Sequence, residues 1–311
     1  MRKGEIVMNE LSPKRKRWRL SKRTGKLFPY ILILPTFVII TLFIYFPALY
    51  SFYLSFFKVS PFGNRKIFVG MQNFIDMFTD ERFIKSVSFT LIFTGTTVVT
   101  SIFVSFLVAI LLNQKVPGVR FFRTLIFAPY AVSTAVAGAL WGFLLNPVVG
   151  YVNYVMASVF GVQVNWLVTI PYAAFAVIIA SIWKTLPFDI IFYLAGLQGV
   201  SDELIEASRL DGANTWSIMW KILFPLLSPT TYYLIIMNIM SSTFESFAII
   251  DVMTRGGPGE YTTNLIYKIY LDGFRFSKTG PASAQTVVLF IVMSIVTLIY
   301  FRVGRREVYY Q

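Results

Sequence analysis

Glu206-Ala207-Ser208-Arg209-Leu210-Asp211-Gly212, followed after nine residues by Ile222-Leu223-Phe224-Pro225, is the stretch that decides the fold. It is a polar insertion between long apolar runs, with four acidic residues between Ser201 and Gly212. Lipid gives a chain no reason to keep such a segment. It therefore faces another protein, and the chain reads as one part of a machine whose energy source lies elsewhere. Asp202 to Leu210 are good helix formers, and Asp202 and Glu203 in the first turn suit the helix dipole. Leu204, Ala207 and Ser208 share one small-to-apolar face. Gly212 is placed to end this helix in a left-handed conformation, and Asn214 to N-cap a second one carrying Trp216, Ile218, Met219 and Ile222. Pro225 sits near the entry to the next apolar run and Pro229 inside it, and either can set a bend. The prediction is helix–turn–helix; spacing alone favours a plain helical hairpin between two spans over a docking element.

The apolar runs around it are long. The chain has 311 residues, 56% hydrophobic and only 14% charged, with a mean hydropathy of +0.66. A soluble domain of this length carries more charge. A bilayer-spanning helix needs about 20 apolar residues, and six such stretches are present. The first is uncharged from Leu27 to Phe57, and the second runs from Val87 to Leu112. Thr124 to Trp183 holds no charge and is divided by Asn146-Pro147 and Gly150, which gives spans near Leu125–Leu145 and Tyr172–Tyr193. The fifth runs from Ile222 to Phe244 and the sixth from Gly280 to Phe301. The expected fold class is an all-α integral membrane protein with six transmembrane helices. One membrane domain, residues 27–303, is expected between a basic leader, 1–26, and a short tail, 304–311.

Charge orients the domain. Residues 1–26 alone hold ten Lys and Arg. With six spans, the side that holds both termini and the 194–221 loop collects eighteen basic residues, against nine opposite. The positive-inside rule then puts both termini and the 201–225 segment in the cytoplasm. Basic residues before a first span are an ordinary topology signal, so no nucleic-acid partner is implied. The first apolar run far exceeds a signal-peptide core and is read as a retained anchor. The localisation expected is the cell (cytoplasmic, or inner) membrane, multi-pass.

Chemistry is scarce. There is no Cys and no His, which removes thiol chemistry, the usual metal ligands and the commonest general base. No phosphate-binding loop of the GxxxxGK[ST] kind is present. The chain is expected to be no enzyme, with no catalytic residue, cofactor or metal of its own. On the outer side, residues 58–86 include Gly70-Met71-Gln72-Asn73-Phe74, Ile75, Phe78 and Phe83. This spacing suits a short amphipathic surface helix or an ordinary loop with buried aromatics. Thr254-Arg255-Gly256-Gly257-Pro258-Gly259 predicts a tight turn with positive φ.

The opening stretch resembles the EAA loop of permease subunits of binding-protein-dependent ABC importers, EAA-x3-G-x9-I-x-L-P. Glu206, Ala207, Gly212, Ile222 and Pro225 match at the family spacing, with Ser208 in place of the third-position Ala and Phe224 in place of Leu. Phe127-Ala128-Pro129-Tyr130, Trp141, Gly150 with Asn153, Trp183-Lys184, Leu194-Ala195-Gly196-Leu197 and Thr254–Pro258 also resemble the maltose-type sugar permeases, over roughly residues 28–303. The resemblance implies a type I importer permease architecture. It implies that residues 201–222 dock on a cytoplasmic ATPase, with Glu206, Ala207, Ser208, Asp211 and Gly212 forming the contact. It further implies a second homologous permease, two ATPase subunits that bind ATP and Mg, an extracytoplasmic solute-binding protein, surrounding lipid, and a sugar or oligosaccharide as solute.

Intramembrane polar groups are costly unless they face a cavity or a partner. Ser181, Thr185 and Phe188 fall on one face of the fourth span, and Ser242, Thr243 and Ser246 are read as one face of the fifth, with Glu245 its only acid. Hydroxyls and an aromatic ring suit a sugar. Ser and Thr also bond to their own helix carbonyls or pack helix against helix. Aligned on the family landmarks, these positions fall on the sugar-contacting positions of the maltose permease, although the residue identities mostly differ. Lys184 and Glu245 either pair across the two helices, or Glu245 is simply hydrated. Glycerol-3-phosphate is the alternative solute, and Lys184 the only intramembrane base for it. An ion-coupled secondary transporter has only Asp189 and Glu245 to work with and leaves the 201–222 loop without a purpose.

Overall fold

The computed structural model describes residues 24–61, 63–114 and 117–307. Most of the expected leader, residues 1–23, and the end of the expected tail, 308–311, lie outside the described residues. The chain divides into two compact units, one up to Tyr50 and one from Ser51.

The described residues of the first unit, 24–50, are helical. Helix α1 (Thr24–Ile40) carries Pro29 and Pro35, a π-helical turn follows at Thr41–Tyr45, and α2 (Phe46–Leu54) begins the exit. Phe28–Leu54 is apolar and long enough to cross a membrane. Its side chains up to Tyr50 are nearly all exposed, as expected of a helix that is apolar on every face and surrounded by lipid.

The second unit opens with a correction to the all-helical expectation. Strands β1 (Phe57–Val59) and β2 (Lys66–Phe68) pair antiparallel, with Phe57 opposite Phe68. Helix α3 (Gln72–Thr79) forms where the spacing suits an amphipathic surface helix. Ile75 and Phe78 point outward, while Asn73 and Met77 are buried. The cause is Asn73, whose amide donates to Ser55 O (2.8 Å) and Phe57 O (3.0 Å) and so anchors that face to the chain before the hairpin. Phe83 belongs to the next helix and is buried there.

Helix α4 (Glu81–Leu112) is N-capped by Asp80, which accepts from the Arg82 amide at 3.0 Å. Partial burial works against the Asp80 charge, yet that amide and the Lys268 ammonium at 3.2 Å hold its carboxyl below the ordinary range. There follow α5 (Val119–Ala131), α6 (Thr134–Leu144), α7 (Tyr151–Phe160) and α8 (Tyr172–Gln198). Next come α9 (Asp202–Leu210), α10 (Thr215–Leu226), α11 (Ser228–Phe244), α12 (Phe247–Met253), α13 (Leu265–Tyr270) and α14 (Thr279–Glu307).

Among the described residues, four helices are long and apolar enough to cross a membrane, or six if each of two bent pairs counts as one span. Those bends correct two of the expected straight spans. The third, expected over Leu125–Leu145, is α5 and α6 meeting at 105°. Val132 is extended and Ser133 caps α6 by accepting from the Val136 amide, so the helix ends and restarts. The fifth, expected over Ile222–Phe244, is α10 and α11 meeting at 71° on either side of Leu227. Pro229 lies in the first turn of α11, where the missing N–H costs nothing, rather than inside a continuous helix. The turn at Thr254–Gly259 is as expected: Gly256 and Gly259 have φ of +80° and +56°.

The core joins α4, α8, α10 and α11 through Phe106, Ile190, Tyr193, Leu197, Leu223 and Leu234. In lipid this packing, rather than water exclusion, holds helices together, and small residues permit the closest approach. Gly138 is such a contact: a β-carbon there would lie 3.3 Å from Ile249 Cα and from Val252 Cβ of α12. Gly138→Ala should be tolerated with a slight adjustment. Gly138→Leu should overpack the crossing and cost about 1–3 kcal/mol. Thermal unfolding of the detergent-purified chain should rank the wild type first, Ala next and Leu last.

Candidate functional site

Two places stand out, and the chain connects them directly. The first is the α9–α10 hairpin. No residue of α9 is buried, and Leu210 and Trp216 are 89% and 64% exposed. Glu206, Ala207, Asp211 and Gly212 are exposed and Ser208 is half-buried, its hydroxyl donating to Leu204 O at 2.6 Å. The turn closes as the sequence suggested. The Ala213 amide donates to Ser208 O and the Gly212 amide to Arg209 O, both at 3.0 Å, the paired bonds of a Schellman cap. Gly212 has φ +84°, and a β-carbon added there would meet nothing within 4 Å, so backbone conformation alone requires glycine. Asn214 then caps α10, accepting from the Ser217 amide at 2.8 Å.

One side of the hairpin is half-buried. Ile205, Ala213, Trp220, Ile222 and Phe224 pack on the core. The Trp220 ring lies 5.5 Å from Phe106 of α4 and 5.7 Å from Trp216. Large rings therefore link the hairpin to α4 and, through Phe106 and Tyr193 at 5.6 Å, to α8.

The second place lies between α8 and α11. A cavity of about 220 Å³ is lined by Tyr130, Lys184, Thr185, Phe188, Asn238, Ser241 and Glu245, among others. A smaller one of about 40 Å³ adjoins it, sharing Lys184, Thr185, Ser241 and Glu245 and adding Thr134, Ser181, Ser242 and Ser246. Thr185 is fourteen residues from the α8 end at Gly199, and Ser241 is fourteen from the bend at Leu227. At about 1.5 Å per residue, both lie roughly 21 Å from the hairpin end, deep within a hydrocarbon layer about 30 Å thick.

The broken span makes one wall. Lys184 donates to Pro129 O and Tyr130 O, both at 3.1 Å, and lies 5.3 Å from the Tyr130 ring centre. These are carbonyls at the end of α5, where the helix stops and only Pro129 O keeps a backbone donor, the Val132 amide at 3.3 Å. Lys184 thus caps the end of α5, and Glu245 shares both cavity walls with it without an ion pair within 4.0 Å. Tyr130 also stacks on Phe188 at 6.2 Å.

The hydroxyls bond to their own helices, and they also line the cavities. Ser181 donates to Val177 O (2.8 Å), Thr185 to Ser181 O (2.9 Å) and Ser242 to Asn238 O (2.6 Å). With their protons engaged, these oxygens present acceptor lone pairs to the interior. Ser246 is buried and accepts from Asn264 at 2.7 Å. Thr243 departs from the expected face. It lines a separate apolar groove with Ile239, Val98, Leu265 and Met293, because one residue turns a helix by about 100° and carries Thr243 away from Ser242.

Two positions escape a reading limited to hydroxyls and rings. Ser181, Thr185, Asp189 and Tyr193 recur every four residues along α8, and Thr231, Asn238 and Ser242 follow one side of α11. Asn238 donates to Asp189 at 2.8 Å and Tyr193 bonds to Thr231 at 2.9 Å, so the two stripes face each other. The four-residue repeat through Asp189 was visible in the sequence; its partner Asn238 was not.

Comparison with known proteins agrees with this architecture. Residues 101–308 match the family model of the binding-protein-dependent transport system inner membrane component. The chain is 36% identical over 286 residues to the sn-glycerol-3-phosphate transport system permease protein UgpA of Agrobacterium fabrum, covering 92% of this chain and 97% of the relative. It is 37% identical to the protein of that name from Yersinia pestis, over 91% and 96% of the two chains. Among solved structures, a chain of a bacterial alginate ABC transporter, crystallised with an alginate pentasaccharide-bound periplasmic protein, superposes with a TM-score of 0.79 at 24% identity. That match covers 93% of this chain and 98% of the other. The chain belongs to the family of inner membrane components of binding-protein-dependent transport systems, and is a multi-pass permease subunit of an ABC importer.

Proposed function

We propose that this chain forms half of the membrane pathway of an ATP-driven importer for a sugar or oligosaccharide. A second, homologous permease supplies the other half. Two cytoplasmic ATPase subunits bind ATP and Mg and dock on the α9–α10 hairpin through Glu206, Ala207, Ser208, Asp211 and Gly212, while a solute-binding protein delivers the solute from outside. Six spans, each bent pair counted once, then place both termini and the hairpin in the cytoplasm of a cell membrane protein that performs no chemistry itself. The observation that carries this reading is the hairpin: a helix with no buried residue, directly continuous with the two helices that line the cavity.

The cavity supports the solute class. Ser181, Thr185, Ser242 and Glu245 offer acceptors, and Lys184 is occupied by two carbonyls. Sugar hydroxyls are donors, and Phe188 and Tyr130 offer flat apolar faces. A phosphate ester calls for a cation, and among the described residues the one that lines this cavity is the lysine already engaged. A volume of about 220 Å³ falls below the roughly 300–1,000 Å³ of ordinary ligand pockets, as suits a half-site completed by a partner. Glycerol-3-phosphate is the second reading, favoured by the names of the relatives at 36–37% identity.

Uptake into proteoliposomes holding the four-part complex, measured over a sugar panel and glycerol-3-phosphate, decides between the two. Uptake of glycerol-3-phosphate alone would overturn the sugar reading. Thr185→Leu and Ser242→Leu should reduce sugar uptake about tenfold or more, the worth of one lost hydrogen bond of roughly 1.5 kcal/mol, with ATPase subunits still co-purifying. Gly212→Val forces a β-branched residue into a left-handed turn at a cost of about 1–2 kcal/mol. It should lower solute-stimulated transport per ATP hydrolysed, whereas Gly212→Asn, which tolerates that conformation, should retain most of it. Equal coupling ratios in wild type and Gly212→Val would remove the hairpin from the coupling path.

A further inference from the structure

Asp189 is wholly buried. One carboxylate oxygen accepts from the Asn238 amide at 2.8 Å, and the other has no hydrogen-bond partner. An arrangement of this kind is expensive inside a membrane. Stability does not call for it. Tyr193 and Thr231 already tie α8 to α11 nearer the hairpin, and an apolar pair of similar volume usually serves packing as well or better. What the carboxyl group adds is direction, because its Oδ2 accepts from the Asn238 NH2. It holds the Asn238 amide by that end, which turns the carbonyl end of that planar group away from Asp189.

Asn238 is 1% exposed and lines the 220 Å³ cavity beside Thr185, Ser241 and Glu245. We propose that Asp189 is a positioning residue for solute selection: by holding the Asn238 amide nitrogen, it makes the carbonyl oxygen the end offered to the cavity. Released from Asp189, the amide can rotate and show its NH2 instead. The cavity then gains a donor where it had an acceptor, which weakens recognition of a hydroxyl-rich solute and improves the fit of an anionic one. The proposal rests on the reading that this cavity lies on the solute path, and it adds a residue that never touches the solute.

The test uses the reconstituted complex and uptake of labelled glucosides, galactosides and xylosides, with sn-glycerol-3-phosphate as the anionic probe. Asn238→Leu comes first. It should raise KM about tenfold for whichever sugar is transported; an unchanged KM would show that the cavity is off the path, and the reading beneath the proposal would fall. Given that rise, Asp189→Leu should raise KM by a similar factor and shift the uptake ratio toward glycerol-3-phosphate. The double variant should be no worse than either single one, because both act through one amide. A hundredfold rise in the double variant would show independent roles. A normal KM in Asp189→Leu, with only Vmax or thermal stability reduced, would show a merely structural role, and either result overturns the proposal. If Asp189→Leu does not assemble, Asp189→Asn serves: its amide accepts or donates, so KM should rise about threefold, and no rise overturns the assignment.

Discussion

The structure depends on the requirement that every backbone carbonyl inside a bilayer finds a donor. Where α5 stops at Ala131 and α6 restarts at Thr134, that requirement falls on one side chain. The Lys184 ammonium reaches from α8 to Pro129 O and Tyr130 O. It places a cation at the carbonyl end of a helix, where the dipole favours it, and donates to two carbonyls there. The break in turn allows the 105° bend, and the bend brings Tyr130 and Thr134 to the cavity walls. Irregular backbone at membrane depth is tolerated where it borders a cavity or protein, and this chain has both.

The same economy runs along α8 and α11. Polar residues on both helices face each other from Tyr193–Thr231 near the hairpin, through Asp189–Asn238, to the hydroxyls around Ser181 and Ser242. One seam therefore joins the exposed hairpin to the cavity. Trp220 packs on the core, and α10 meets α11 at the 71° bend at Leu227.

Much of this was legible in the residues. The Gly212 turn and the Asn214 cap are local: one positive φ and one side-chain acceptor three residues from its donor. Spans follow from length and hydropathy. The hydroxyl faces follow from helical spacing, and Ser181, Thr185, Ser242 and Ser246 do meet at one cavity. Thr243 does not, because a face inferred from adjacent residues spans more than the angle a cavity subtends. The buried face of α3 was hidden, since it depends on Asn73 reaching carbonyls sixteen and eighteen residues away.

The order of residues was enough to establish the membrane class, the helix-forming segments, the capped hairpin between two spans and the family motif, because hydropathy, capping and turn chemistry act within a few residues. Folding in three dimensions settled where spans break, which polar groups meet and what each one does. On sequence grounds Lys184 could be a solute ligand or a partner for Glu245, and only the position of two carbonyls more than fifty residues away made it a helix cap. Asp189 gained its partner in the same way, from Asn238 on another helix. Inside lipid a polar atom takes the nearest donor or acceptor that the fold supplies, so its role is fixed by packing and not by its neighbours in the chain.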